Sequence, residues 1–338
     1  MRVDDPLRHH GDVEVGGLLD LAVNVYDGPR PTWLDDALRA SLGEVGSYPS
    51  SDRARAAAAR HHGRPEDEVL VTAGAAEAFT LLARGRPWRR PAVVHPQFTE
   101  PHAALEQAGH RVTEVVVPHP FLLDPALVPD DVDLVFVGNP TNPTGALHPA
   151  DAIRALLRPG RVVVVDEAFM DCVPGQTESL ASERLDGLVV VRSLTKHWSI
   201  PGIRSGYLLG PPDLVADLQR GQVPWSVSTP AAAAVVACTT PEAVEEGRRR
   251  AEEIADWRKV LEAGLDGLGV PYLESAASFV LAQVGAGVHG RLRAAGIAVR
   301  RADTFPGLDE TWVRIAVRPP ATTDRLTTAL AAIVDTPR

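Results

Sequence analysis

The stretch LVVVRSLTKHWSIPGIRSGYLLG, residues 188–210, decides the fold. It opens on an unbroken apolar run, Leu188–Val191, and closes on a second short one, Ser205–Leu209. Short β-branched runs without alternation belong to strands covered on both faces. Between them lie Lys196, the hydroxyls of Ser193, Thr195 and Ser199, and Arg204 eight residues past the lysine. Polar groups therefore gather just beyond the carboxyl end of a buried strand, where parallel α/β sheets bind their ligands. Of 34 basic residues only Lys196 and Lys259 are lysines, so chemistry that needs a side-chain primary amine has two candidates. Lys259 sits in the charged helical stretch DWRKVLE, an ordinary solvated position, which leaves Lys196.

Working upstream, the same strand-then-polar-loop arrangement recurs. VVVV at 162–165 closes the run Arg161–Val165 and leads into Asp166. A carboxylate at the end of a buried strand is costly unless a cation faces it. Val132–Val137 leads into GNPTNPTG (138–145), where two Asn-Pro steps and a glycine fix an irregular loop and present amides at the strand ends. Val69–Thr72 leads into Gly74, which permits close backbone approach, and then into a helix over Ala75–Arg84. The free N–H groups and dipole of such a helix start suit a phosphate. Ala92–His95 and Arg111–Val117 complete the strands, and Glu100–Ala108 and Ala150–Leu157 read as helices. Repeated βα units of this kind predict a mostly parallel sheet with helices on both sides.

Downstream of about Val227 the pattern changes. Helices are predicted over Pro230–Cys238, Pro241–Leu268, Val288–Ala295 and Thr323–Val334, with strands at Phe279–Val284, Ile297–Arg300 and Trp312–Val317. The expected organisation is an N-terminal segment, 1–40, packed on the small domain or a partner subunit, a large domain over 41–240, and a small α+β domain over 241–338.

A chain of 338 residues, 45% of them hydrophobic, can bury a sizeable core. A net charge of −10 argues against a nucleic-acid partner, which needs a basic face. No apolar run is long enough to span a bilayer, and the start MRVDDPLRHHGD lacks the apolar core of a signal peptide. Two cysteines, Cys172 and Cys238, make no disulfide framework. A soluble, cytoplasmic protein is expected, without membrane or metal. No GxGxxG follows the first strand, which weakens a dinucleotide-binding reading.

A carbonyl-reactive amine, a carboxylate, an amide and a phosphate cradle are together what a pyridoxal-phosphate site needs. The amine forms an imine with the cofactor, and the acid partners its ring nitrogen. The order GNPTNPTG, then VDEAF, then SLTK with an arginine eight residues on resembles the fold-type-I pyridoxal-phosphate enzymes of the class I/II aminotransferase group. The resemblance covers nearly the whole chain. It is nearest to the branch holding histidinol-phosphate aminotransferase and the L-threonine-O-3-phosphate decarboxylase of cobalamin synthesis. It implies an α/β/α large domain with a mostly parallel seven-stranded sheet and a smaller α+β domain.

What the resemblance implies for single residues is specific. Lys196 would carry the cofactor and move protons, and Asp166 would pair with its ring nitrogen. Asn142 would bond the ring oxygen, and Phe98, in HPQFTEP, would stack on the ring. The backbone of Gly74, Ala75 and Ala76, with Ser193, Thr195 and Arg204, would hold the phosphate. Tyr48, in SYPSSDRARAAAARHHG, matches a tyrosine that reaches the neighbouring subunit's cofactor phosphate, which implies a homodimer with shared sites. Arg314 would grip the substrate carboxylate with two prongs. Arg300 would help bind an anionic substrate, and His10, in an HGG-like element, would meet the substrate phosphate. Asn24 belongs to a loop that borders that phosphate, but NVYDGP (24–29) puts Tyr26 and Asp27 where the group has Asn-Pro.

RSLTK with IPGIRSGY, Phe169 in place of a common tyrosine, and VRRADTFPGLDETWVRIAVR (299–318) resemble the decarboxylase more than the transaminase. The leading expectation is therefore decarboxylation of threonine phosphate to aminopropanol phosphate. Transamination of the histidinol-phosphate type is the alternative. A non-catalytic binding protein on the same fold is the reading from another class.

Overall fold

The computed structural model describes residues 5–334, so residues 1–4 and 335–338 of the two terminal spans expected above lie outside it. The chain opens with α1 (Asp12–Val15), β1 (Leu19–Leu21), α2 (Thr32–Ser41) and α3 (Asp52–His62). Next come β2 (Val69–Thr72), α4 (Ala75–Gly85), β3 (Pro91–His95), α5 (Glu100–Gln107), β4 (Thr113–Val116), β5 (Leu134–Gly138), α6 (Ala150–Arg154), β6 (Val162–Asp166), β7 (Leu188–Ser193) and β8 (Gly206–Leu209). The remainder is α7 (Pro212–Gly221), α8 (Thr229–Cys238), α9 (Pro241–Gly267), β9 (Phe279–Gln283), α10 (Val288–Ala294), β10 (Ile297–Arg301), β11 (Trp312–Ala316) and α11 (Pro320–Val334).

Seven strands form one sheet in the order β2-β8-β7-β6-β5-β3-β4, as the resemblance implies. Only β8 runs antiparallel to its neighbours, β2 and β7. The valines of β6 are buried on both faces. Burying each is worth roughly 1.5–3 kcal/mol, enough to hold the strand in place and its last residue, Asp166, at the sheet's carboxyl edge. Register puts Asp166 beside Gly138 on one side and Val191 on the other.

A second sheet, in the order β1-β10-β11-β9, is antiparallel except where β1 pairs parallel with β10. Its core is built from Leu21, Phe279, Ile315 and residues of α9 and α11.

Two expected elements are three residues shorter than their sequence signal. The helix read over Ala150–Leu157 ends at Arg154, because its last turn tightens: Leu156 and Leu157 bond back three residues, to Ile153 and Arg154. The strand read from Arg111 begins at Thr113, and it is an edge strand with alternate residues exposed. The helices α1, α2, α3 and α7 and the strand β1 carry no expectation above. In α3 a row of alanines (Ala54, Ala57, Ala58, Ala59) is buried, so small residues rather than large ones mark its inner face.

Candidate active site

The sequence-predicted residues converge. All of them except Gly74 and Tyr48 line one cavity of about 660 Å³ at the carboxyl ends of β5, β6 and β7. Gly74 lies just behind the wall. Tyr48 stands apart on the surface, 77% exposed, its ring stacked on Trp225 at 4.3 Å.

The floor of the cavity follows from β7. Lys196 is half-buried there, and its amine has no hydrogen-bond or ion-pair partner among the described residues. Burial, then the charges of Arg314 and Arg204, push the amine down to about 8, against smaller opposing effects of Asp12 and Asp166. The backbone of Lys196 is fixed from the N-terminal loop, because its carbonyl accepts the Tyr26 N–H at 3.0 Å. The following carbonyl, of His197, accepts from the fully buried Arg250 at 3.0 Å. Lys259 is 73% exposed and pairs with Asp256, as its solvated context predicts.

Asp166 accepts one backbone N–H, from Ala168 at 3.0 Å. Burial pushes its carboxyl up to about 7. A half-buried acid with one donor is set to meet a further cation or N–H.

The helix start is an anion cradle. Gly74 has φ +77°, a conformation disfavoured for side-chain-bearing residues. A Cβ there would lie 2.6 Å from Nη2 of Arg204. Arg204 itself holds φ +60°. No side chain caps α4 from Gly74; Glu77 turns back to take the Ala73 N–H at 2.5 Å, and Ala75 and Ala76 line the cavity. Ser193 and Thr195 join by a hydroxyl–hydroxyl bond of 2.8 Å at the same end. A guanidinium, two hydroxyls and a helix start together suit a phosphate.

The opposite wall comes from the second sheet. Arg300 and Arg314 are cross-strand partners on β10 and β11, both buried. Burial, then the charge of Arg300, hold the Arg314 guanidinium well below its ordinary range. Arg314 is tightly oriented. Nη1 donates to Asn142 Oδ1 at 2.6 Å and Nη2 to the Ala22 carbonyl at 2.6 Å. With its amide oxygen turned inward, Asn24 accepts from Nε and Nη1 at 3.0 and 3.1 Å. Only one Nη2 hydrogen is left to the cavity, so the two-pronged grip expected from sequence requires one of these acceptors to yield. Arg300 donates to the His9 carbonyl at 2.6 Å and to Thr304 Oγ1 at 2.7 Å. His10 pairs with Glu100 at 2.8 Å and lies 5.9 Å, centroid to centroid, from Phe98.

Asp27 does not line the cavity. Its half-exposed carboxylate lies 3.9 Å from Nε of Arg318, so the departure in NVYDGP adds no acid to the site. Tyr26 is buried away from it, its hydroxyl on Glu253 and its ring stacked on Trp257. Phe169 packs edge-on against Phe279 at 4.9 Å, and Phe279 in turn lies under the Arg314 guanidinium.

Sequence reasoning missed Asp12 and Arg318. Asp12 lines the cavity; the signal was an acid directly after His10-Gly11, where an HGG element would have a second glycine. Arg318 donates to the carbonyls of Asp20, Val23 and Val25 and so holds Asn24 against Arg314. Its signal was the second arginine of VRIAVR, four residues from the first.

Do these residues suit pyridoxal phosphate? An unpartnered amine among guanidiniums, a half-buried acid with one donor, and a glycine cradle facing an arginine match the three polar ends of that molecule. Among the described residues no cluster suits a metal ion, and no helix is long and apolar enough to cross a membrane.

Comparison with known proteins agrees. The chain is 48% identical, over 92% of its length and 87% of the other, to a protein of Mycobacterium tuberculosis (strain H37Rv) named histidinol-phosphate aminotransferase. It is 30% identical, over 94% of its length and 91% of the other, to a threonine-phosphate decarboxylase of Salmonella typhimurium. Its fold matches the crystal structure of the histidinol-phosphate aminotransferase from Clostridium acetobutylicum with a TM-score of 0.86, at 24% identity over 94% of this chain and 99% of that one. The family model for aminotransferases of class I and II matches residues 17–333. On these grounds the chain belongs to the class I and II aminotransferase family, whose enzymes work with pyridoxal phosphate.

Proposed function

We propose that this protein is an aminotransferase of the histidinol-phosphate type, exchanging an amino group between a phosphorylated amino compound and an oxo acid. The observation that carries a phosphorylated substrate is the cross-strand pair Arg300 and Arg314. Like charges placed opposite each other on a sheet are destabilising. A bound dianion relieves that cost, and Arg204 is already committed to the other end of the cavity. Sequence alone leans toward the decarboxylase. The identities, 48% to a protein named histidinol-phosphate aminotransferase against 30% to one named threonine-phosphate decarboxylase, favour the reverse order.

When bound, pyridoxal phosphate supplies an electron sink for a carbanion at the substrate carbon that bears the amine. The rest is the work of this chain. Lys196 would hold the cofactor through its amine, and its Nζ is the group placed to take and return the proton at that carbon. The depressed basicity of a half-buried amine suits that task. Asp166 holds the ring nitrogen. Asn142 gives its Oδ1 to Arg314, so its Nδ2 is free to donate to the ring oxygen. Phe169 has no hydroxyl to share that duty. Gly74, Ala75, Ala76, Ser193, Thr195 and Arg204 hold the phosphate, and Phe98 covers the ring. Arg314, with Asn24, Arg300 and His10 around it, receives the substrate's anionic group. The same guanidinium serves a phosphate in one half-reaction and a carboxylate in the other.

A homodimer fits the exposed Tyr48–Trp225 pair, flanked in sequence by exposed Leu42, Val45 and Val223. Exposed apolar clusters of this kind mark interfaces. Residues 41–240 would then carry the cofactor and 241–338 the small domain, in a cytoplasmic enzyme.

Decarboxylation of threonine phosphate, the cobalamin-pathway step, is the second reading, favoured by Phe169 and the RSLTK–IPGIRSGY segment. Product analysis separates the two. Histidinol phosphate consumed only when 2-oxoglutarate is present, with glutamate formed, supports the proposal. Release of CO₂ from threonine phosphate without an oxo acid overturns it. Spectral changes of the bound cofactor without turnover of either compound would favour a binding protein.

A further inference from the structure

Three acids line the cavity: Asp12, Glu100 and Asp166. Two are accounted for. Asp166 is the half-buried acid at the end of β6. Glu100 is paired with His10 at 2.8 Å and Arg8 at 3.7 Å. Burial alone would raise the Glu100 carboxyl, but these two partners outweigh it and hold it below its usual range.

Asp12 differs. Its carboxylate has no hydrogen-bond or ion-pair partner among the described residues, and it is exposed at the cavity mouth. Its position is not accidental to the fold. A Cβ on the preceding residue, Gly11, would overlap the Ala22 carbonyl and come within 3.3 Å of Nη2 of Arg314. The turn is thus pressed against the guanidinium that the proposed function gives to the substrate anion, and Asp12 follows directly. Its charge also reaches Lys196, where it favours the protonated amine.

What can an unpaired carboxylate do beside an amine and two arginines? It repels a phosphate, so it does not receive that end of the substrate. The substrate's amino group is committed to the cofactor. The carboxylate accepts only a third group, one that donates a hydrogen bond. An imidazole N–H is such a donor. Threonine phosphate has none left: its amine is committed and its hydroxyl is esterified.

We infer that Asp12 is a specificity-determining residue that accepts a hydrogen bond from a donor-bearing side chain of the substrate, the imidazole in the case of histidinol phosphate. This inference rests on the aminotransferase reading and names what selects its substrate. Asp12 discriminates by the hydrogen bond that a donor-bearing side chain gains there and a side chain without a donor does not.

The test compares the holoenzyme with its Asp12→Ala and Asp12→Asn variants on two amino phosphates of the same backbone. One is histidinol phosphate. The other is phenylalaninol phosphate, whose ring has no N–H. The expected result is a fall in kcat/KM for histidinol phosphate of roughly 10- to 100-fold in Asp12→Ala, the scale of a hydrogen bond to a charged group. Phenylalaninol phosphate should change by less than about two-fold or improve. The half-reaction with glutamate, which offers no ring donor, should change by less than the half-reaction with histidinol phosphate in both variants. Equal losses on both amino phosphates, with a shifted pH profile, would mean that Asp12 acts only through the charge of Lys196 and would overturn the inference. So would no loss on either. A wild-type enzyme that turns over phenylalaninol phosphate as well as histidinol phosphate also overturns it, while leaving the aminotransferase reading intact. A wild type inactive on both with every oxo acid removes the aminotransferase reading itself.

Discussion

Arg314 donates from Nη1 to Oδ1 of Asn142 at 2.6 Å, and this bond joins the second sheet to the loop that follows β5. It fixes the sense of the Asn142 amide. With the oxygen engaged, the NH₂ is the end left to the cavity. The residue proposed to meet substrate therefore orients the one proposed to meet cofactor, and the two should not act independently.

Arg314→Lys keeps the charge and removes the planar fork. A lysine cannot hold Asn142, Asn24 and the Ala22 carbonyl together. Two charge-assisted bonds at about 1.5 kcal/mol each correspond to roughly a 10²-fold loss. We expect kcat/KM to fall by at least that factor for the phosphorylated substrate and for the amino donor alike. Cofactor absorbance should be retained. Steady-state kinetics on both half-reactions check this, and a loss confined to one of them would contradict a shared anion site.

Gly74→Ala tests the phosphate cradle. The backbone there is left-handed in φ, and the new methyl would lie 2.6 Å from Nη2 of Arg204. A side chain in such a conformation, with ψ 172°, costs about 1–3 kcal/mol, and the guanidinium must also move. The expected outcome is cofactor affinity lowered by roughly 10- to 100-fold, with turnover recovering at saturating cofactor. Absorbance titration of the cofactor-free protein measures it; an unchanged dissociation constant would place the phosphate elsewhere.

Asp166 gives a pH dependence with a definite sign. Burial raises its carboxyl from 3.8 to about 7 in the folded chain. Between those values the native state keeps a proton that the unfolded state releases. The cofactor-free protein therefore loses stability as pH rises through that window, and the loss persists above it. Asp166→Asn removes the effect. Cofactor-free Asp166→Asn should be more stable than wild type at pH 8, by on the order of 4 kcal/mol, and the gap should close near pH 4. Thermal unfolding at the two pH values is the measurement. The same substitution should weaken cofactor binding, because the ring nitrogen loses its acid.

Much of the site is legible in sequence because its residues follow strands that announce themselves. VVVV puts Asp166 at a strand end, LVVV does the same for Ser193–Lys196, and VLVT for Gly74. Each side chain lies within a few residues of a strong burial signal. The second sheet is harder. Arg300 and Arg314 are recognisable only through the resemblance, since an arginine on a strand in an arginine-rich chain has a surface reading by default. Asp12 and Arg318 carry no periodic signal. Asp12 sits on a helix of four residues, and its place in the cavity comes from Gly11 meeting Ala22 and Arg314. The helix α3 hides for another reason: its inner face is alanine, which periodicity weighs lightly. The leaning toward the decarboxylase rests partly on the loop after β7, which lines the proposed cofactor end of the cavity and so says little about substrate.

Trp225 offers the last test, because the proposed dimer depends on a surface that nothing in one chain covers. Its indole is 59% exposed, stacked on a tyrosine that is 77% exposed. If a second copy buries this pair and brings Tyr48 to its neighbour's phosphate site, two substitutions should separate cleanly. Trp225→Arg puts a charge into the apolar contact. It should shift the assembly toward monomer and make cofactor affinity depend on protein concentration. Tyr48→Phe removes one hydroxyl and leaves the packing. It should keep the dimer and lower cofactor affinity by roughly 10-fold, the scale of a hydrogen bond to a charged group. Sedimentation velocity alongside cofactor titration distinguishes them. A wild type that sediments as a fully active monomer would sink both the dimer and the role given to Tyr48.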